Sequence, residues 1–211
     1  MSDLQEQAIP IVSRFIMGEW GKFDRDQLRT IVAWVVMTNV TLGSSFEEDS
    51  GISEVDRTYF YHWRKPPKHW GVFVGRASGM QDVTFLHKPS CILTEEPVSG
   101  KYYPRNVHVT TIKIGRLITH TVAIQPGIAR IEQDVYGRSV GVFPIFPFEA
   151  GSEADWINTP IMFRDNLRLL GMGLINKLVE ISGADVIPYD WLATDPSYNP
   201  DVLSRFAQRI P

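Results

Sequence analysis

The stretch Asn106–Ile124, NVHVTTIKIGRLITHTVAI, decides how this chain folds. Apolar residues recur at a period of two on either side of Gly115: Val107 and Val109, Ile112 and Ile114, then Ile118, Val122 and Ile124. That period puts alternate side chains on opposite faces of a strand. Gly115 punctuates the two runs, and strands joined by so short a link pair antiparallel, because a parallel pair needs a long crossover.

The same period extends outward. WGVFVGR from Trp70, DVTFLHK from Asp82 and SVGVFPIFPF from Ser139 read as further strands, with Gly75, Ser78-Gly79, Gly100 and Pro126-Gly127 as breaks. No helical pattern intervenes, so residues 70–148 should form a mainly antiparallel sheet. Pro144 and Pro147 suit an edge strand or a strand end, where a missing N–H costs least.

Ahead of the sheet the period is helical. Leu4, Ala8, Ile11, Val12, Phe15 and Ile16 follow a capping Ser2, and Gly18 stops the pattern. Pro10 should kink this helix or open a second one as its first residue. Asp24 with Gln27 forms a capping box for a helix over Arg25–Leu42, which is apolar nearly all round and therefore belongs at the centre of the core. Ser53 caps a third helix, in which Val55, Tyr59 and Trp63 share one face and so point to the core; Pro66-Pro67 must end it. Beyond the sheet, Thr159-Pro160 opens a long helix with Phe163, Leu167, Leu170, Leu174, Leu178 and Val179 on one face, closed by Gly183, and Asn199-Pro200 opens a short last one. The expected fold is α+β: N-terminal helices packed on a mainly antiparallel sheet, with a long C-terminal helix. One domain spans 1–211, with a helical part over 1–65, a sheet part over 70–148 and a C-terminal helical part over 159–211.

Composition narrows the function. The 211 residues are 44% hydrophobic and carry a net charge of -3, so no global basic field draws the chain to nucleic acid or anionic lipid, and a nucleic-acid surface would have to be local. A single cysteine, Cys91, excludes an intrachain disulfide and any zinc site of several thiolates. MSDLQEQAIP lacks the basic start of a secretory signal, and the longest apolar run, Ile31–Met37, is far below the roughly 20 residues that span a bilayer. These features lead us to expect a cytoplasmic location and no membrane contact.

Catalytic and metal templates fail. No His-Glu-x-x-His occurs, and His62 and His69 are separated by the helix-breaking Pro66-Pro67, which favours packing where a helix meets a strand. His120 shares its strand face with Ile118, Val122 and Ile124, as a hydrogen-bonded core histidine does. His87 and His108 lie in strands, and nothing in the sequence brings them together. No lysine has Asp or Glu two positions before it, as a restriction-type nuclease requires. His87, Asn106 and His120 stand in His-Asn-His order, but the last falls in a strand pattern instead of the helix such a site needs. There is no Gly-x-Ser-x-Gly elbow, Cys91 reads as a buried strand thiol, and the segment Gly75–Gly79 is a turn lacking a phosphate-loop lysine. Glu95-Glu96 and Glu132 with Asp134 read as solvated surface. We therefore expect no metal, no cofactor and no catalytic residue.

A set of short matches suggests a family. Met1-Ser2 with Leu4, then Phe23, Asp26-Gln27, Ala33-Trp34 and Thr38, followed by Pro66-Pro67, Gly75-Arg76, Ile114-Gly115-Arg116-Leu117 and Pro144, resemble a region of bacterial and phage HNH-endonuclease-like proteins. The resemblance covers residues 1–150 and concerns the region that follows the nuclease motif. The motif itself is absent, Gln5 stands where glutamate is usual, and no catalytic residue carries over. The resemblance implies an accessory or stand-alone domain of phage, mobile-element or bacterial origin.

Three functions follow. The first is a non-catalytic interaction module that binds a protein partner, such as a nuclease or defence complex or a second copy of the chain, through aromatic surface, since Trp, Tyr and Arg anchor interfaces. The second is a nucleic-acid-binding accessory domain, with cations on phosphates and aromatics under bases. Its patch would combine Arg57, Arg64, Lys65, Lys68 and Arg76 with Tyr61, His62 and nearby aromatics, and a second patch would combine Lys101, Tyr102, Tyr103 and Arg105. The third is a hydrolase whose site joins the strand histidines His108 and His120 to Glu132.

Overall fold

A computed structural model describes residues 2–45, 51–80, 83–87, 90–92, 106–125, 137, 141–147, 161–162, 167 and 186–188. Three helices precede the sheet: α1 Ser2–Met17, α2 Arg25–Gly43 and α3 Glu54–Trp63. Asp24 caps α2 with the expected box. Its Oδ1 accepts the Gln27 N–H at 2.8 Å, and Gln27 Oε1 accepts the Asp24 N–H at 3.0 Å. Pro10 neither ends α1 nor opens a second helix; one helix runs through it. Pro10 and Glu6 are both exposed, so water can serve the Glu6 carbonyl that a proline cannot reach.

The strands are β1 Trp70–Ala77, β2 Val83–His87, β3 Ser90–Ile92, β4 Val107–Ile114, β5 Leu117–Ile124, β6 Phe143–Phe146, β7 Ile161–Met162 and β8 Val186–Pro188. Among the described residues they form one sheet in the order β6-β1-β5-β4-β3-β8, with β2 also paired to β4 and β7 to β1. Every pairing is antiparallel except β1 with β7. The α+β class and the largely antiparallel sheet expected from the period are thus present. The hairpin β4–β5 pairs Ile114 with Leu117 and runs in register to Val107 and Ile124. β6 closes one end of the strand order, which suits Pro144. It is shorter than its apolar run, because Gly141 has φ +75° and the Val142 N–H bonds the Gly137 carbonyl at 3.0 Å.

Both faces of the central strands are covered. On one face Trp70, Val72, Val74, Leu117 and Ala123 pack against α1 and α2 through Phe15, Ile31, Val35 and Val36. On the other, Phe73, Val109, Ile118, Val122 and Ile124 pack with Met162 and Leu167. β5 is buried throughout, and so is β4 up to Lys113.

Two expectations are corrected. Thr159-Pro160 was to open a helix, but Ile161–Met162 form a strand on β1, where the Ser78 N–H bonds the Met162 carbonyl at 2.8 Å. Those edge groups of β1 need a partner past the end of β6. Val186–Pro188, between the two helices expected in this part, form a further strand. Leu167, expected on the inner face of the long C-terminal helix, is helical and buried, and the rest of that helix and all of the last helix lie outside the described residues. The second correction concerns α3. Val55, Tyr59 and Trp63 face solvent, and Asp56 and Phe60 face the core. The inward stripe is centred on a carboxylate, so a count of apolar residues selects the wrong side.

Candidate functional site

α3 is held at both ends and along one line. Ser53 Oγ accepts the Asp56 N–H at 3.1 Å at the N-terminus. The Asp56 carboxylate accepts the Trp70 indole N–H at 3.2 Å, and His69 Nε2 lies 3.1 Å from the same oxygen. Phe60 joins the core cluster of α1, α2 and the sheet. At the C-terminus the Arg64 N–H bonds the Phe60 carbonyl at 2.9 Å, with Arg64 at φ 53° in the left-handed region. Glycine usually takes that position, and a side chain there costs about 1 kcal/mol. Pro66 and Pro67 are buried behind it.

What α3 displays is aromatic and basic. Tyr59 is 38% exposed, Tyr61 66% and Trp63 64%, beside Val55 at 77%. His62, Arg64, Lys65 and Lys68 are exposed around them. The Arg64 guanidinium lies 5.2 Å from the centre of the Tyr61 ring, and the Tyr61 and His62 rings meet edge to face at 5.7 Å. Between α2 and α3 runs an open groove of about 430 Å³, lined by the buried Met37 and Phe60, by Val40 and by Tyr61 and Arg64 at the solvent side. Arg57 bridges the two helices through Ser44 Oγ at 3.2 Å.

Tyr61, His62, Arg64, Lys65 and Lys68, which the sequence groups in one patch, are all exposed along the last turn of α3 and the loop after it. Arg76 is half-buried about 20 Å along β1 from Trp70 at the usual strand rise, with its guanidinium 5.7 Å from the Trp20 ring centre. Lys101, Tyr102, Tyr103 and Arg105 lie outside the described residues.

The strand histidines His108 and His120 lie on opposite faces of the sheet. His108 stacks on Trp70 at 5.8 Å between ring centres, on the helix-covered face. His120 lies on the opposite face, where Nδ1 bonds the Thr111 hydroxyl at 2.8 Å beside Phe73. The pleat of β4 and β5 therefore separates His108 from His120, and Glu132 lies outside the described residues. Burial holds His120 down to about 3 from its usual 6.5, which keeps it neutral in the core. His120 is thus the hydrogen-bonded core histidine expected from its strand face. Among the described residues no group of three His, Cys, Asp or Glu is placed to hold a metal ion.

The structure does bring together His87 and His108, which the sequence left apart. Their rings are 5.0 Å apart, bridged by the Thr110 hydroxyl at 3.0 Å from His87 Nδ1 and 2.9 Å from His108 Nε2. Asn39 of α2 completes the line. Its Nδ2 donates to the Val35 carbonyl at 2.8 Å and to Thr121 Oγ1 at 3.1 Å, while Oδ1 lies 3.3 Å from His108 Nε2. One proton arrangement satisfies these contacts: His108 Nε2–H donates to Asn39 and Thr110, and Thr110 donates to His87. The one trace of this seam in the sequence is a buried asparagine in the otherwise apolar stripe of α2.

Among the described residues no helix is long and apolar enough to cross a membrane. No protein-family model matches the chain, and no curated protein or solved structure matches it.

Proposed function

We propose that this chain is a non-catalytic interaction module that binds a protein partner through the outer face of α3. The observation that carries this reading is the exposure of Tyr59, Tyr61 and Trp63 on a helix already anchored by Asp56 and Phe60. Exposed aromatics of this size, grouped and ringed by cations, are the usual anchors of protein interfaces. The short matches to the region following the nuclease motif of HNH-endonuclease-like proteins suit an accessory module that docks on a nuclease or defence complex. The test uses the immobilised chain and its Tyr61→Ser/Trp63→Ser variant. A protein retained by the first should be identified, purified and titrated. The double substitution should weaken it by at least about tenfold with the fold intact. Undiminished affinity would remove the reading.

The exposed Arg64, Lys65 and Lys68 beside aromatic rings favour nucleic acid as the second reading. It predicts steeply salt-dependent binding to single- or double-stranded oligonucleotides, lost in the Lys65→Ala/Lys68→Ala variant. Binding that the two substitutions leave unchanged would eliminate the patch.

A further inference from the structure

We infer that the groove between α2 and α3 receives an acidic segment of the protein partner, with an apolar side chain against Met37, Val40 and Phe60 and a carboxylate on Arg64. This inference rests on the proposed interaction reading and specifies the chemistry of what is bound. At about 430 Å³ the groove lies within the size range of sites that take a bulky side chain or a short peptide turn. Its inner lining is apolar, and its solvent edge is predominantly cationic. Among the described lining residues Glu54 is the one acid, against Arg57 and Arg64, and Lys65 and Lys68 are exposed in the loop that follows Arg64. Among the described residues no carboxylate forms an ion pair with Arg64, Lys65 or Lys68. The rim is therefore complementary to negative charge in a chain whose own net charge is -3.

Arg64 is the pivotal residue. It keeps a left-handed backbone, φ 53°, that glycine would adopt with less strain. Its guanidinium sits over the Tyr61 ring at 5.2 Å, which fixes the planar group while leaving its N–H edges for an acceptor. A carboxylate is the acceptor that matches this fork, and such charge-assisted pairs are stronger and more directional than neutral ones. Folding alone would favour glycine at this position, and partner binding would favour arginine.

The experiment uses two end-blocked, fluorescein-labelled peptides, one of leucines and glutamates and one with glutamine in place of each glutamate, read by anisotropy against the full chain. The acidic peptide should bind saturably and at least about tenfold tighter than its neutral counterpart. Arg64→Gly should abolish that preference while raising the melting temperature, so that lost binding cannot be ascribed to misfolding. Val40→Trp, which fills the groove, should weaken both peptides. No saturable binding, equal affinity for the two peptides, or a preference that survives Arg64→Gly would overturn the inference. So would a single-stranded oligonucleotide that binds the same rim more tightly, or a concentration-dependent dimer that Arg64→Gly dissolves, because either assigns the groove to another occupant. If the identified partner loses affinity on Trp63→Ser but not on Arg64→Gly, the groove inference fails and the interaction reading stands. If the partner ignores both substitutions, both fail.

Discussion

The hairpin β4–β5 and the helix α3 invert the usual distribution of polarity, in opposite directions. The hairpin buries His108, Thr110, Thr111, Lys113, Thr119, His120 and Thr121, whereas α3 buries Asp56 and Phe60 and leaves Tyr59, Tyr61 and Trp63 in water. Each inversion has a cost that something must offset. Inside, hydrogen bonds do so: Asn39 and Thr110 carry the line of partners across the seam, and Thr111 serves His120. Outside, among the described residues, the Tyr61 ring meets only the exposed Arg64 and His62, about two thirds of Tyr61 and Trp63 stay in water, and a partner is the compensation we propose. Buried polar groups here are satisfied within the fold, and the exposed aromatic groups are where we propose that a partner binds.

Substitutions along this contrast should separate structure from recognition. The largest effect is expected from Phe60→Ala, which removes a side chain 3% exposed and should cost about 3–5 kcal/mol in urea unfolding. Next comes Asn39→Leu. It strips His108 and Thr121 of a buried partner and should cost about 2–3 kcal/mol, whereas a cost near zero would mean that the seam contributes no specificity.

The His120 environment predicts a pH dependence. Its folded value, about 3, lies below the unfolded value of 6.5, so the unfolded chain takes up a proton that the folded chain refuses. Its contribution is complete above about pH 6.5 and is lost on acidification towards about pH 3, with a slope of about 1.4 kcal/mol per pH unit. The paired His120→Leu/Thr111→Val substitution should remove that part of the slope between about pH 7 and about pH 5 in denaturant titrations. A slope identical to the parent's would contradict the buried, neutral assignment.

Arg64→Gly should stabilise by up to about 1 kcal/mol, seen as a rise in melting temperature, because the left-handed position no longer carries a side chain. A fall would show that the stacking on Tyr61 outweighs the backbone strain.

Much of the fold was legible because its signals are local. The capping box at Asp24 and Gln27, the period-two runs flanking Gly115 and Pro144 of β6 each act over a few residues. What escaped was non-local. Nothing near Asp56 in the chain announces that its carboxylate meets Trp70 and His69, so Val55, Tyr59 and Trp63 formed the more apolar stripe and were assigned inward. β7 escaped for the same reason, since two residues become a strand only where β1 offers an unfilled edge. The patch of Tyr61, His62, Arg64, Lys65 and Lys68 was legible as composition, but its exposure depended on which stripe of α3 turns in. The pairing of His87 with His108 required the register of β2 on β4, which no spacing along the chain encodes.

The central claim, that the aromatic face of α3 serves contact and not packing, is tested most directly by thermal melting of the Tyr59→Ser/Tyr61→Ser/Trp63→Ser variant alongside its titration with the partner. We predict a melting temperature within about 2 °C of the parent and loss of partner binding by at least about tenfold. A melting temperature lowered by about 10 °C or more, or an undiminished affinity, would contradict it.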